Sequence, residues 1–200
     1  MFTNEFASNA ILRAVETKSL VQSSWHSRAE DGRQVACLLG SISPDVRSVK
    51  DCNASLMPLW LAELTPTLFD GIPADHVYPV AERYGRAVGQ WNKLTDIQWN
   101  SILVKFLVRT IDDALSAARP QCVDKPYWQA VEDACASSKA AIVSGDDPEK
   151  KAEAAARAAE AAARAAARAA WAAAAEAAAR AAYLKLFTFL LDTIEEELAL

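Results

Sequence analysis

The longest uninterrupted feature of the sequence is an alanine-rich run near its C-terminal end. From Pro148 to Leu200 there is no glycine and no second proline, and about three quarters of residues 152–182 are alanine, the strongest helix former. An aspartate at position 147, a proline at the first helical position and an acidic residue after it are typical of a helix start. The run therefore predicts one continuous helix from about Pro148 to about Glu197.

A helix of this length reaches about 75 Å, whereas a compact domain of this size has a radius of gyration of about 16 Å. It therefore projects beyond the rest of the chain or bends. Six residues share one narrow stripe of this helix: Glu153, Arg157, Glu160, Arg164, Arg168 and Trp171. One interpretation is a solvated stripe, with the alanine faces packed on neighbouring helices. The other is a partner-binding surface, because Arg and Trp are enriched at binding hot spots. Its contact residues are then Arg157, Arg164, Arg168 and Trp171.

The rest of the chain contains shorter helices separated by proline, glycine and polar residues. Hydrophobic periodicity and capping residues predict five helical segments: Ser8–Val21, Ala54–Leu64, 75 to about 91, 95 to about 118, and 124–143. The predicted fold class is all-α, a multi-helix domain with a long C-terminal alanine-rich helix. Residues 1–145 form the helical domain, and residues 146–200 form the long helix, which packs partly on it.

Particular residues set the predicted helix ends. The expected N-caps are Asn53, Asp75 and Asp124, and a capping box is formed by Thr95 and Gln98. Pro66 is expected to break or kink its helix, and Pro120 to end the helix that precedes it. The short apolar run 35–39 is predicted as a buried helix on its length, with a strand left open as the alternative.

Two apolar patterns predict where the core lies. Val80, Tyr84, Val88 and Trp91 recur at the spacing of one helix face. Residues 183–191 regain bulky apolar side chains after the alanines, so this stretch must dock on another surface. Docking on the chain's own core is preferred, and a dimer or a partner protein remain the alternatives.

Charge and composition limit the function classes. The formal net charge is −5, which disfavours binding to phosphate backbones. No stretch approaches the roughly 18 uncharged apolar residues of a membrane span, and the N-terminus lacks the features of a signal peptide. We therefore expect a cytoplasmic protein with no direct nucleic-acid or membrane binding. The cysteines lack a CxxC pair and are expected to be reduced structural thiols: Cys37, Cys52, Cys122 and Cys135.

Residues suited to catalysis or metal binding are few. The chain has two histidines, His26 and His76, and no HExxH, GxSxG, P-loop or GxGxxG motif. His26 with Cys37 and Cys52 offers zinc-binding atoms, but the spacing fits no standard zinc pattern. Asp112-Asp113 lacks a second acidic cluster for magnesium and is interpreted as a solvated helix face. The sequence therefore predicts a non-enzymatic protein with no cofactor and no metal.

The segment from Glu153 to Tyr183, with Trp171 set among Ala/Arg/Glu repeats, resembles the alanine-rich helices of small phage and prophage proteins of uncharacterised function. It is also similar to the helical immunity-type proteins of bacterial conflict systems. The resemblance is largely one of composition, and no site residue is carried over from it. It implies an inhibitor that binds a bacterial defence complex, as an anti-CRISPR protein does. The alternatives are an immunity-type or scaffold protein acting through homodimerisation of the alanine-rich helix, and an enzyme with an unrecognised site.

The double substitution Arg164→Ala/Arg168→Ala separates the interpretations of the stripe. If the stripe binds a partner, affinity falls at least about tenfold, because truncating hot-spot residues costs about 2 kcal/mol or more. The melting temperature then hardly changes, since alanine is the better helix former. Unchanged affinity with a lower melting temperature would mean that the stripe packs on the protein itself, and a solvated stripe changes neither. Titration calorimetry and circular dichroism measure the two quantities.

Overall fold

The structure, a computed structural model, describes residues 2–52, 56–144 and 175–199, with side chains from residue 178 onward in the last segment. These residues are mostly helical, with six α-helices and one small two-stranded sheet, so the predicted all-α class is confirmed. The chain forms two compact units, residues 1–99 with 177–200, and residues 100–176. The predicted domain boundary near residue 145 lies outside the described residues and stays a prediction.

The helices are α1 (Asn4–Glu16), α2 (Leu59–Gly71), α3 (Val77–Val88), α4 (Asp96–Cys122), α5 (Trp128–Ser144) and α6 (Ala175–Ala199). Short 3-10 turns lie between them, at Gly40–Ile42, Val49–Asp51, Ala74–His76 and Trp91–Lys93. The strands β1 (His26–Arg28) and β2 (Gln34–Ala36) pair antiparallel, with Ser27 opposite Val35. Helix α4 begins in the first unit and continues in the second.

Helices α1 and α3 pack closely because Gly85 of α3 and Gly89, which follows it, lie at their interface. A β-carbon added at Gly85 would come within 2.9 Å of Ile11 Cγ2, and one added at Gly89 within 3.1 Å of Ser8 Oγ. Ile11 is fully buried, so the space opposite Gly85 is filled by a side chain with little freedom to move. The absence of a side chain at Gly85 therefore sets how near the two helices lie.

Several predicted helix ends are wrong. Helix α1 ends at Glu16 rather than Val21, because Lys18 adopts a positive φ of 52° that stops the helix. Asp75 lies in a 3-10 turn, where its carboxylate is 3.0 Å from His76 Nδ1, and α3 begins two residues later. Asp124 precedes α5 by four residues and does not occupy the position next to it.

The start of α2 also differs from the prediction, whereas that of α4 agrees with it. Helix α2 begins at Leu59 after an extended Pro58, and Asn53 lies outside the described residues. At α4, Thr95 N donates to Gln98 Oε1 (3.0 Å) and Gln98 N donates to Thr95 Oγ1 (3.3 Å). This reciprocal pair is a capping box, so that prediction is confirmed.

The apolar run 35–39 does not form the predicted short helix. Its first residues belong to β2, which pairs on both sides. Ala36 N donates to Ser19 O (3.0 Å), and Val21 N donates to Ala36 O (2.9 Å), while β1 pairs with the opposite edge. A strand bonded on two sides satisfies its backbone as fully as a helix does. The open alternative, a strand, forms at Val35 and Ala36, and residues 37–39 follow outside it.

Pro66 does not break its helix, and Pro120 does not end α4 where predicted. Helix α2 continues past Pro66 to Gly71, and Leu68 and Phe69 beyond the proline are buried. The proline removes the backbone bond to Ala62 O. Next to it, Thr65 Oγ1 donates to Leu61 O (2.7 Å). Pro120 lies in the last turn of α4, where the carbonyl left without its partner belongs to an exposed residue, Ser116.

Edge-to-face aromatic contacts form the centre of the first unit. Trp91 packs on Tyr84 with ring centroids 5.1 Å apart and on Trp99 with centroids 5.6 Å apart. Tyr84 also contacts Phe187 of α6 at 5.9 Å. Tyr84, Val88, Trp91 and Val80 are all buried, so the predicted core face of α3 is confirmed. The core thus joins α3, the turn after it, the start of α4 and α6.

Helix α6 docks on the first unit, as preferred from the sequence. Its apolar face is buried at Phe187, Leu190, Leu191 and Ile194. Arg83 of α3 donates to Asp192 (2.6 Å) and to both carboxylate oxygens of Glu195 (2.7 Å each). The described part of the predicted helix from Pro148 to Glu197 is helical and extends to Ala199. The part of the predicted helix before Ala175 lies outside the described residues.

The second unit contains most of α4 and all of α5. Its small core consists of Ile111, Cys135 and Ile142, against which partly buried apolar residues of both helices pack. Asp112 accepts from Lys139 Nζ (2.6 Å), and Asp113 accepts from Arg109 Nε (3.1 Å). The two aspartates thus serve as ion-pair partners on helix surfaces.

We expect Gly71→Ala to destabilise the protein, because a β-carbon at this position would overlap the Tyr183 ring of α6. Overpacking of this kind costs about 1–3 kcal/mol. In a Tyr183→Ala background the same change should be neutral or stabilising, since the obstructing ring is gone and alanine favours helix. The coupling energy between Gly71 and Tyr183 is measured by denaturant unfolding of the original chain, the two single variants and the double variant. If Gly71→Ala changes the free energy of unfolding equally in both backgrounds, the close contact between Gly71 and the Tyr183 ring is contradicted.

Candidate interaction surface

The partner-binding residues predicted from the sequence cannot be placed. Arg157, Arg164, Arg168 and Trp171 all lie outside the described residues, so their role stays a prediction. In the part of the chain that the structure describes, two exposed apolar side chains lie close in the sequence to two half-buried tryptophans. This group, Leu59, Trp60, Ile97 and Trp99, is called the tryptophan surface below.

The tryptophan surface is formed where α2 and α4 begin. The rings of Trp60 and Trp99 meet edge to face, with centroids 6.2 Å apart and an interplanar angle of 74°. Both side chains are half-buried. Leu59 precedes Trp60 and is 59 % exposed, and Ile97 in the first turn of α4 is 82 % exposed. Ile97 is thus a large apolar side chain that solvent almost fully surrounds.

The support beneath this surface is rigid. Trp99 packs on Trp91, which is only 2 % exposed, at an interplanar angle of 88°. Trp91 Nε1 has no hydrogen-bond partner among the described residues, but faces of adjacent aromatic rings can accept a weak bond from an N–H. Gln98 Nε2 donates to Glu197 O (2.9 Å), which ties the first turn of α4 to α6. The exposed rings are therefore held in one orientation before any partner binds.

The buried thiols of the first unit have raised pKa values. Burial raises the pKa of the Cys52 thiol to about 11, and burial also raises the pKa of Cys37. The nucleophilic thiolate is then scarce at neutral pH. His26 Nε2 lies 2.8 Å from Val46 O and so carries the proton when the ring is neutral. Within residues 2–52, 56–144 and 175–199, no group of three or more His, Cys, Asp or Glu is placed to hold a metal ion.

Sequence reasoning missed the tryptophan surface because helical spacing and capping residues do not show which residues of α2 and α4 meet in the folded chain. The signal that was present is the position of Leu59 and Ile97. Both occupy the first turn of a helix, ahead of the buried positions Leu61 and Ile102.

No protein-family model, curated protein or solved structure matches the chain. Among the helices that the structure describes, none is both long and apolar enough to cross a membrane. The function is therefore inferred from the geometry of the site.

We expect Leu59→Ser/Ile97→Ser to leave stability nearly unchanged, because both side chains are mostly exposed and serine is tolerated in a first helical turn. The free energy of unfolding should fall by less than about 1 kcal/mol. Trp99→Ala should cost about 2–3 kcal/mol, since it removes the ring that joins the surface to the core. Urea unfolding followed by far-ultraviolet circular dichroism compares the two variants. Equal losses would show that Leu59 and Ile97 contribute to the core.

Proposed function

We propose that this chain is a non-enzymatic interaction protein that binds a partner protein through the tryptophan surface. The observation that carries the proposal is the fixed Trp60–Trp99 pair where α2 and α4 begin, with Leu59 and Ile97, which are close to these tryptophans in the sequence, exposed in the same first turns. Large apolar side chains exposed near fixed aromatic rings are common at protein-binding sites. Tryptophan is also among the residues that contribute most to interface affinity.

The orientation of the pair supports the proposal energetically. A side chain that is ordered only on binding loses about 0.5–1.5 kcal/mol of conformational entropy. Trp99 is held by Trp91, and the capping box fixes the turn from which it projects. Trp60 is held by Trp99 in turn. Most of this entropy is therefore lost on folding rather than on association.

The partner we propose is a bacterial defence complex of the CRISPR type, which the chain inhibits by binding. The likeness of the alanine-rich segment to phage and prophage proteins supports this partner. The stripe with Arg157, Arg164, Arg168 and Trp171 supplies a second contact in this proposal. The formal net charge of −5 favours partners with a basic surface, and nuclease complexes that bind nucleic acid have such surfaces.

The test measures target cleavage by purified CRISPR effector complexes with and without the chain. We expect one effector to be inhibited at near-stoichiometric concentrations and to form a stable complex in size-exclusion chromatography with light scattering. Leu59→Ser/Ile97→Ser should weaken this inhibition at least about tenfold. Val143→Ser is the matched control, because Val143 of α5 is an apolar residue with 65 % exposure that does not belong to the tryptophan surface.

Other results of these experiments would favour a different binding surface or a different function. Loss of inhibition in Arg164→Ala/Arg168→Ala alone would assign binding to the alanine-rich stripe. A mass of twice 21.6 kDa for the chain by itself, lost in that double variant, would favour the scaffold alternative. If no effector is bound and the chain is monomeric, the defence-complex proposal is wrong.

A further inference from the structure

Acidic side chains flank both rings of the tryptophan surface. Glu63 follows Trp60 by three residues in α2, and Asp96 precedes Trp99 by three residues in α4. Residues at this spacing are neighbours on the surface of a helix. Both carboxylates are exposed, and neither has an ion-pair partner in the part of the chain that the structure describes. Each tryptophan of the pair therefore has an unpaired carboxylate about one helical turn away.

The end of α6 adds negative charge beside the first turn of α4. Gln98 Nε2 of that turn donates to Glu197 O (2.9 Å), so the C-terminal carbonyls of α6, which together carry about half a negative charge, lie next to it. Glu196, adjacent to Glu197 in the chain, is exposed and has no ion-pair partner among residues 2–52, 56–144 and 175–199. A third unpaired carboxylate therefore adds to the negative field at this edge of the unit.

Positive charge in the same region is smaller. Lys93, in the turn before α4, donates from its ammonium to Gln90 Oε1 (3.2 Å). The 3-10 turn that precedes α2 carries one charge of each sign, on Lys50 and Asp51. The first turns of α2 and α4 contribute about half a positive charge each, which with Lys93 offsets only about two of the negative charges. The local field therefore favours a cation.

The tryptophan rings also attract a cation. In an edge-to-face pair such as that of Trp60 and Trp99, the ring that contributes its edge keeps both faces clear of the other ring. An indole face carries the negative part of the ring quadrupole and attracts a cation within about 6 Å of the ring centroid, most often that of an arginine. A guanidinium is flat enough to stack on the indole and has several N–H donors for a nearby carboxylate, whereas an ammonium is a compact point charge.

We propose that the tryptophan surface binds a segment of its partner in which an arginine lies between apolar residues. The guanidinium stacks on an exposed indole face and donates to a flanking carboxylate, that of Glu63 or Asp96, while the apolar neighbours contact Leu59 and Ile97. A wholly apolar segment would cover these carboxylates without pairing them, which costs free energy, and an acidic segment would be repelled. The inference rests on the proposed function, because it specifies the chemistry of the partner at the same surface.

The test uses the full chain and two synthetic peptides. One is acetyl-Leu-Ala-Arg-Ala-Leu-amide, and the other has citrulline, a neutral side chain of nearly the same shape, in place of the arginine. The arginine peptide should saturate shifts of the Trp60 and Trp99 indole N–H signals in protein NMR with a dissociation constant of about 1 mM, as expected for a short ligand on an open surface. The citrulline peptide should bind at least about fivefold more weakly.

Glu63→Gln/Asp96→Asn should weaken binding of the arginine peptide at least about fivefold and leave binding of the citrulline peptide nearly unchanged. Glu16→Gln/Glu30→Gln is the matched control, because it removes the same amount of charge from exposed residues at the end of α1 and in the β1–β2 hairpin. This control should change neither affinity. The exchange of arginine for citrulline leaves the protein itself intact, so the comparison of the peptides holds for a less stable variant as well.

Four results would overturn the inference. Equal affinities for the two peptides would show that the surface does not select a cation, and the absence of saturable shifts up to about 10 mM would show that it binds neither peptide. Equal losses in the two double variants would reduce the effect to the general charge of the protein. A doubled mass of the chain in light scattering that Glu63→Gln/Asp96→Asn abolishes would mean that a second copy occupies the surface.

The failure of this inference differs from the failure of the proposed function. An effector that is inhibited through Leu59 and Ile97, together with equal affinities for the two peptides, would retain the proposed function and reject the arginine alone. Arginine-selective binding without any inhibited effector would retain the arginine and contradict the defence-complex partner.

Discussion

The edge-to-face contact between Tyr84 and Trp91 joins parts of the first unit that are far apart in the sequence. Tyr84 is fully buried, and its hydroxyl meets Thr65 Oγ1 (3.1 Å) of α2, while its ring meets Phe187 of α6. Burial raises the pKa of this phenol far above its usual value, so it stays neutral and keeps the hydrogen bond at any physiological pH. Each aromatic pair adds about 0.5–1.5 kcal/mol beyond the area it buries. Three helices thus depend on one side chain for their mutual placement.

Helix α6 completes this core with both apolar and charged contacts, and their magnitudes differ. Burying side chains such as Phe187 and Leu190 contributes about 1.5–3 kcal/mol each, whereas a partly exposed ion pair contributes about 0.2–1 kcal/mol. The Arg83 guanidinium, which is about one third exposed, therefore adds little to the stability of docking. Its fork contacts Asp192 and Glu195, which lie about one helical turn apart. That geometry fixes the rotation and register of α6, which the apolar contacts alone leave less defined.

The parts of the fold that the sequence predicted are those set by local interactions. The capping box at Thr95 needs four consecutive residues, and the core face of α3 needs only helical spacing. The wrong predictions concern segments whose secondary structure depends on contacts with residues distant in the sequence. The run at Val35 became a strand because Ser19 and Val21 supply a second edge, and α2 passes Pro66 because its buried continuation outweighs one lost bond. The tryptophan surface was missed for the same reason, since Trp60 and Trp99 meet only in the folded chain.

The tryptophan surface depends on this core, although its residues lie at the edge of the unit. Trp99 contacts Trp91 on one side and Trp60 on the other, so a chain of aromatic contacts leads from Tyr84 to the exposed residues. Gln98, between Ile97 and Trp99, is bonded to the backbone of α6. An exposed apolar group on a flexible loop would collapse onto the nearest apolar surface and be lost to a partner. Here the rings cannot turn inward because the positions beneath them are already filled. The same packing that stabilises the first unit therefore keeps Leu59 and Ile97 accessible for association.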